Sequence, residues 1–270
     1  MFVDNNDKKI TIRDFTFGDG TPRIAVPLYG SSGEEIFAAS QVVRKEIDRL
    51  DEKYKDHPEC KVSVIEWRAD YYRNVEVPEN VFNILRHLRQ LFVDRVLLFT
   101  FRSEEQGGEI RNDRAHMHMD LIMRNVMTSG LVDMVDVEFT AGNYNIARAT
   151  TAAHRSGIAV VMSYHDFEKT PHDMEIEEKL RQMEILGGDI LKIAAMPKNQ
   201  FDVRRIMEMN QREVIERSKP VALISMGELG KISRINCKES GSCLTFAAIG
   251  KGSAPGQISV DELISKLIKQ

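Results

Sequence analysis

Eight short runs of apolar and β-branched residues recur along this chain of 270 residues, and longer amphipathic segments separate them. Such alternation predicts strand–helix units around a parallel sheet, and eight units predict a closed (β/α)8 barrel, a TIM barrel of the α/β class. The predicted strands are 24–28, 62–67, 96–101, 132–138, 158–163, 190–196, 221–226 and 243–249. The predicted helices are 34–50, 81–91, 115–127, 145–154, 176–186, 201–215 and 260–268.

An open, doubly wound sheet is the alternative architecture. No GxGxxG sequence follows the first predicted strand, which removes the most familiar nucleotide-binding form of that fold. A short strand pattern over residues 8–20 predicts a β-hairpin that closes the bottom of the barrel. Because no linker-like or low-complexity segment interrupts the chain, we expect one domain over 1–270, with the hairpin inside 1–22 and the barrel over 23–270.

Charge and composition restrict the class of function. The formal net charge is −4 and no basic run occurs, which argues against a dedicated nucleic-acid or anionic-membrane binder. The start lacks the apolar segment of a signal peptide, and no stretch of about 18 apolar residues occurs, so we expect a cytoplasmic protein without membrane association. Three cysteines without CxxC spacing are expected to be reduced thiols. His116 and His118 stand on different faces of a predicted helix, so no metal site is predicted there.

Lys192 stands inside an apolar run, residues 190–197, that has the pattern of a buried central strand closed by a proline. An unpaired buried ammonium is costly, so burial moves the pKa of a lysine from about 10.4 towards roughly 7–8. A partly neutral amine can attack a carbonyl and form a Schiff base. The alternative is a structural lysine that is paired with a buried carboxylate or reaches water from a strand end.

Polar residues gather where the predicted strands end, which is the face of a (β/α)8 barrel that carries chemistry. Each residue could instead form a surface salt bridge or cap a helix, but their convergence on one rim favours a binding pocket. Arginines, a histidine and a buried lysine together suit an anionic, hydroxylated carbonyl compound. The residues are Glu66, Arg68, Asp70, Arg102, Ser103, Asp136, Glu138, Ser163, His165, Lys192 and the loop 250–257.

A set of short motifs follows in order from the first third of the chain to its end. They are Glu66-Trp67-Arg68-Ala69-Asp70, Phe99-Thr100-Phe101-Arg102-Ser103, Gly107-Gly108-Glu109, His165-Asp166-Phe167, Lys192-Ile193-Ala194, Ile232-Ser233-Arg234 and Ser253-Ala254-Pro255-Gly256-Gln257. Each motif is weak alone, whereas the ordered set is specific. By this set the chain resembles the type I 3-dehydroquinate dehydratases, the Schiff-base-forming enzymes of the shikimate pathway.

The resemblance implies a hydro-lyase that converts 3-dehydroquinate to 3-dehydroshikimate on a (β/α)8 barrel, as a homodimer and without a metal or organic cofactor. Lys192 matches the lysine that forms an imine with the substrate ketone, which makes the adjacent C–H acidic. His165 matches the base that removes this proton and then the acid that helps the hydroxyl leave. One imidazole can do both because its ordinary pKa of about 6.5 is close to the working pH.

The resemblance also assigns the substrate contacts. One arginine grips the substrate carboxylate with its bidentate fork, loop residues close over that end, and other residues bind the hydroxyls and orient the ring. An apolar wall completes the site, although plain core packing is an equal alternative for Phe246. The matching residues are Arg234 for the carboxylate, Ser253 and Gln257 in the loop, Glu66, Arg68 and Arg102 for the hydroxyls, and Met226 and Phe246 as supporting residues.

Three positions depart from the family pattern. Gln106 stands where a glutamate commonly precedes the Gly-Gly pair and helps to position or polarise the catalytic histidine. Its amide can accept a hydrogen bond from a ring N–H but cannot offset an imidazolium charge, so we predict a functional enzyme whose histidine pKa is lower than with a carboxylate. Pro27 replaces a serine, which removes one hydroxyl contact, and Tyr164 replaces an asparagine.

Two other functions are kept as alternatives. Another Schiff-base lyase on the same barrel, such as a class I aldolase, would need the lysine and the base but not the 253–257 loop or Arg234. A catalytically weakened, ligand-binding relative would keep the pocket without turnover, and Gln106 is the feature that favours it.

Overall fold

The computed structural model describes residues 8–109, 113–250 and 257–270, with only the backbone described for 113–120. Within these ranges, eight parallel strands each precede a helix, and no helix is long and apolar enough to cross a membrane. The strands are β1 Ile10–Ile12, β2 Phe15–Phe17, β3 Arg23–Leu28, β4 Val62–Arg68, β5 Val96–Thr100, β6 Met134–Glu138, β7 Ala159–Asp166, β8 Ile190–Ala195, β9 Val221–Ser225, β10 Leu244–Ala248 and β11 Ile258–Ser259. The helices are α1 Gly33–Lys53, α2 Pro78–Leu91, α3 Asp113–Thr128, α4 Asn143–Arg155, α5 Asp173–Ile185, α6 Gln200–Glu216, α7 Lys231–Ile235 and α8 Val260–Leu267.

The sheet curls into a barrel because the spatial order of its strands follows their order in the chain. Neighbours from β3 to β9 pair in parallel, and β10 returns to pair with β3. At the remaining seam the Cys243 N–H donates a 2.9 Å hydrogen bond to the Val221 carbonyl, which joins β10 to β9. The two-residue β11 pairs with the carboxyl half of β10. The predicted (β/α)8 fold is confirmed, with all eight predicted strands present.

Strand alternation sorts the apolar side chains into two layers. One layer lies between the strands and the helices and includes Trp67 and Phe99, whose ring centres are 5.5 Å apart. The other layer fills the lumen and includes Ala25, Val64 and Leu98. Strands that are buried on both faces in this way are nearly continuous apolar runs, which is why the sequence pattern located them.

The β1–β2 hairpin closes the amino-terminal end of the barrel, as predicted. Ile10, Ile12 and Phe17 are buried against the lumen layer. Arg13, in the hairpin turn, donates a 2.7 Å hydrogen bond to Asp133, which lies just before β6. Ligands must therefore enter at the opposite end, where the carboxyl ends of the strands lie. The division of the chain into 1–22 and 23–270 stays a prediction.

The sequence pattern missed helix α7, which has five residues and is too short to show an amphipathic period. Gly230 precedes it because a Cβ atom there would lie 2.3 Å from the Ser225 carbonyl oxygen. Ser233 accepts a 3.0 Å hydrogen bond from the Ser225 N–H, which ties the helix to the end of β9. This close packing brings Arg234 to the mouth of the barrel.

Candidate active site

A cavity of about 160 Å³ opens at the carboxyl ends of the barrel strands. It is lined by every residue that the family resemblance assigns to the site and that the structure describes, while Ser253 lies outside the described residues. These lining residues are Glu66, Arg68, Arg102, Gln106, His165, Lys192, Met226, Arg234, Phe246 and Gln257. Among the described residues, Tyr71, Gly107, Glu109, Phe167, Ala194 and Ile224 complete the lining. Five other polar residues predicted at the strand ends do not line it: Asp70, Ser103, Asp136, Glu138 and Ser163.

The two-residue period of the strands explains why these side chains meet. Glu66 and Arg68 stand two apart on β4 and face the lumen, while Trp67 between them faces the helices. Lys192 on β8 alternates in the same way with neighbours that belong to the outer apolar layer. Strands β4, β7 and β8 therefore contribute polar side chains to a single mouth.

Lys192 is a buried amine, 5% exposed. Its Nζ atom lies 3.9 Å from Oδ2 of Asp136 and 4.5 Å from the ring centre of Phe246. Burial lowers the pKa of Lys192, the Asp136 charge opposes this change, and the Arg102 charge adds to it. Because the contact with Asp136 is longer than a hydrogen bond, the amine is not locked into a tight ion pair and keeps its access to the cavity.

A buried network holds Asp136. Arg102 donates to Asp136 at 2.7 Å and to Glu138 at 3.1 Å, and Ser163 donates to Asp136 at 2.7 Å. Burial alone would raise the pKa of Asp136, but the charges of Arg102 and Lys192 and these hydrogen bonds outweigh it, so the pKa is lowered. The aspartate is therefore ionised beside Lys192. The sequence placed Asp136 and Glu138 at a strand end without a role, and their two-residue spacing was the available signal.

His165 presents its ring to the cavity from β7. Its Nδ1 atom is buried and has no hydrogen-bond partner among the described residues, which leaves Nε2 as the nitrogen that a substrate can reach. Burial holds the pKa of His165 well below its ordinary value, and the charges of Arg102, Lys192 and Arg68 lower it further. The Phe167 ring stacks nearly parallel to the imidazole, with 6.4 Å between ring centres. The imidazole is thus neutral at neutral pH, as a general base must be.

Gln106 contacts His165 through the main chain rather than the ring. Its Oε1 atom accepts a 2.7 Å hydrogen bond from the His165 backbone N–H, which differs from the ring N–H contact that the sequence allowed. The reason lies in the strand lengths: β6 ends at Glu138, which pairs with Ser163 on β7. The His165 N–H points to the same side of β7 as the Ser163 N–H. Because β6 has already ended there, no β6 carbonyl can accept the His165 N–H, and the Gln106 side chain accepts it instead.

Glu66 and Arg68 are each held by a neighbour. Thr100 donates a 2.9 Å hydrogen bond to Glu66. Arg68 forms a bidentate pair with Asp70 at 2.8 and 2.7 Å, and its guanidinium lies 5.0 Å from the ring centre of Tyr71. Because these contacts restrict their rotamers, both side chains are pre-oriented towards a ligand.

Arg234 is a buried cation, 3% exposed, that has no acidic partner among the described residues. Its Nη1 atom donates a 2.9 Å hydrogen bond to the Ser225 carbonyl, and its buried Nε atom is unbonded within the same residues. Burial lowers the pKa of Arg234 to about 10, so the side chain is still charged at neutral pH. A ligand carboxylate would supply the missing counter-charge and the missing acceptor.

Comparison with known proteins agrees with this geometry. Residues 38–268 match the model of the type I 3-dehydroquinase family. The 3-dehydroquinate dehydratase of Salmonella typhimurium is 38% identical over 260 residues, which are 95% of this chain and 96% of that relative. The chain belongs to the type I 3-dehydroquinase family.

Solved structures of this type I 3-dehydroquinase family superpose on nearly the whole chain. The type I 3-dehydroquinate dehydratase of Clostridium difficile, solved with covalent modified comenic acid, has a TM-score of 0.86 and 36% identity over 97% of each chain. The 3-dehydroquinate dehydratase of Geobacillus kaustophilus has a TM-score of 0.87 and 29% identity over 97% of this chain and 95% of its own. Family membership decides against the class I aldolase alternative.

The two other departures from the type I 3-dehydroquinase pattern lie away from the lining of the cavity. Tyr164 packs against the outer apolar layer, with the Lys179 amine 4.7 Å from its ring centre. Pro27 is buried in β3, two residues after Ala25 on the inward side. Neither residue lines the described cavity, so the site is built without them.

The cysteines and histidines outside the cavity supply no described metal site. Cys60, Cys237 and Cys243 are unpaired and buried, and burial raises the pKa of Cys60 to about 11, which keeps that thiol protonated. Among the described residues no group of three His, Cys, Asp or Glu side chains could hold a metal ion. The side chains of His116 and His118 lie outside the described residues.

Proposed function

We propose that this protein dehydrates 3-dehydroquinate to 3-dehydroshikimate through a Schiff base on Lys192. The observation that carries the proposal is the presence, in one cavity, of a buried amine with a lowered pKa and of Arg234, a buried cation without an acidic partner among the described residues. 3-Dehydroquinate offers a ketone to the amine and a carboxylate to the arginine. The names of the family relatives support the same substrate.

The chemistry follows from the two groups at the reacting carbons. The neutral Lys192 amine attacks the ketone carbon, and loss of the carbonyl oxygen as water, with one proton taken up from solvent, leaves a protonated imine. His165 takes a proton from the adjacent carbon, and the C–H electron pair moves into the imine to give an enamine. When the enamine electrons return, the β-hydroxyl leaves with the proton from His165 as water. A water molecule then hydrolyses the imine and restores Lys192.

The charges around Lys192 and His165 suit both stages of this reaction, which are imine formation and loss of the hydroxyl. Ionised Asp136 stabilises the positive charge that the imine carries once Lys192 has reacted. The low pKa of His165 makes its imidazolium a strong acid, which favours proton delivery to the departing hydroxyl. An apolar wall beside the amine, formed by Phe246, strengthens these electrostatic interactions by keeping water away.

Different residues bind the two ends of the substrate. The carboxylate end is assigned to the arginine on α7 and the loop after β10, and the hydroxyl end to charged groups on β4 and after β5. The geometry supports this division because the arginine has an unsatisfied charge, while the other charged groups are already held in fixed rotamers. The residues are Arg234, Ser253 and Gln257 for the carboxylate, and Glu66, Arg68 and Arg102 for the hydroxyls, with Met226 supporting the apolar wall.

Enone absorbance after mixing with 3-dehydroquinate tests the reaction. We expect turnover in the parent and in Lys55→Ala, a control that removes an exposed lysine, and none in Lys192→Ala. Binding without enone formation would favour the ligand-binding alternative. If the protein neither bound nor converted 3-dehydroquinate, that result would contradict the proposed substrate.

The proposal includes a homodimer, which the family resemblance implies, and a cytoplasmic location. Light scattering on the purified protein should give twice the chain mass of 30.8 kDa. A monomer at micromolar concentration would contradict the dimer without affecting the chemistry.

A further inference from the structure

The amide of Gln106 has a second polar group that the described part of the protein leaves without a partner. Because Oε1 accepts the His165 main-chain N–H, the other amide atom is Nε2, which can only donate. Within the described residues Nε2 has no hydrogen-bond partner, and Gln106 lines the cavity although it is only 5% exposed. A ligand therefore meets a hydrogen-bond donor beside the imidazole, where a glutamate would present an acceptor.

The turn that carries this amide is closely packed. Gly107 has φ +83°, and a Cβ atom there would lie 2.4 Å from the Phe167 ring. A Cβ atom at Gly108 would lie 2.0 Å from the Arg102 carbonyl oxygen. The backbone that follows Gln106 is thus fixed against neighbouring elements. With Oε1 also bonded, the Gln106 donor is pre-oriented, and binding to it requires little reorganisation.

We propose that Gln106 binds a substrate oxygen through Nε2 while it positions His165 through Oε1. The inference rests on the proposed function, in which the substrate oxygen that approaches His165 is the departing hydroxyl. As the C–O bond breaks, its electron pair goes to that oxygen and the imidazolium supplies the proton that completes water. A neutral N–H donor stabilises the negative charge that develops on the oxygen, whereas a carboxylate would repel it.

Two substitutions separate the two roles. Gln106→Glu keeps an acceptor for the His165 N–H but removes the donor, and Gln106→Met removes both at similar length. At a pH where His165 is neutral, both variants should lose about 10- to 100-fold in kcat with little change in KM, because the contact strengthens only as charge develops. Gln41→Glu, the same change at an exposed position of α1, should match the parent.

Two further measurements distinguish this role from a structural one. The acidic limb of the pH–rate profile should move to higher pH in Gln106→Glu, because the new carboxylate raises the pKa of His165. The product 3-dehydroshikimate lacks the departing hydroxyl, so its affinity should be the same for the parent and Gln106→Met. If Gln106→Met lost affinity for the product by as much as it lost in kcat, the assignment to that hydroxyl would be overturned.

A parent-like kcat in either Gln106 variant would overturn the donor role. If the parent itself had no turnover, the proposed function would fail separately, and hydrogen exchange at the His165 amide would still test the positioning role. That amide should be protected in the parent and in Gln106→Glu and should exchange faster in Gln106→Met. Equal protection in all three proteins would contradict the positioning role.

Discussion

The Nζ atom of Lys192 lies 3.9 Å from Oδ2 of Asp136, which is near enough for attraction between charges and too far for a hydrogen bond. Asp136 already accepts hydrogen bonds from Arg102 and Ser163, so it attracts Lys192 through its charge without forming a hydrogen bond with it. This arrangement lets burial lower the pKa of the amine before reaction. In the proposed reaction, the same carboxylate would stabilise the positive charge of the imine, so one residue would serve both stages.

Replacement of the imidazole should separate imine formation from proton transfer. His165→Ala should lower kcat by roughly 10²- to 10⁴-fold, because the general base and acid are lost. The lysine adduct should still accumulate and be trapped by borohydride. His57→Ala, which removes a surface histidine, is the control. Failure to trap an adduct in His165→Ala would show that His165 acts in imine formation as well.

The buried arginine should act mainly on substrate affinity. Arg234→Met should raise KM by about 100-fold or more, since it removes a charge-assisted, bidentate contact with the carboxylate. Arg234→Lys should recover only part of this loss, because an ammonium lacks the planar fork. Steady-state kinetics on the three proteins measures both effects. An unchanged KM in Arg234→Met would place the substrate carboxylate elsewhere.

Two glycines with positive φ give a matched test of the turn beside His165. Gly130→Ala (φ +67°) has open space for the new methyl group and should cost only the left-handed strain, about 1 kcal/mol of unfolding free energy. Gly107→Ala (φ +83°) adds a clash with the Phe167 ring, so it should cost more stability and also lower kcat. Denaturant melts and turnover measure the pair. Equal losses of stability with normal kcat in both variants would contradict a role for this packing.

His154 should make stability depend on pH. Its hydrogen bond to Asp189, 2.8 Å long, raises the pKa of His154 in the folded state, and partial burial opposes this. A raised folded pKa means that the stabilisation is fully present below the unfolded pKa of about 6.5 and is lost as the pH rises through the folded value. His154→Gln should therefore lose more unfolding free energy at pH 5 than at pH 9. A loss that is the same at both values would contradict the ion pair.

The sequence located the barrel and the polar residues at the ends of its strands because both depend on short-range patterns, whereas the other cavity residues were assigned from the family resemblance. Strands buried on both faces are nearly continuous apolar runs, and Lys192 stood out as the charged residue in one of them. The contact between Gln106 and the His165 backbone was not predictable, because it depends on β6 ending before β7. Helix α7 was missed because five residues show no period, although Arg234 on it was assigned from the family resemblance. The hydrogen-bond network around Asp136 joins three strands, and no local sequence pattern predicts such a contact between strands.

We expect Lys192 to form a covalent imine with the substrate, and borohydride reduction in the presence of 3-dehydroquinate tests this most directly. Intact mass and peptide mapping should show one reduced adduct per chain, on Lys192, in the parent. The adduct should be absent without borohydride and absent in Lys192→Ala. An active enzyme that gives no borohydride-dependent adduct, or an adduct on another lysine, would contradict the account.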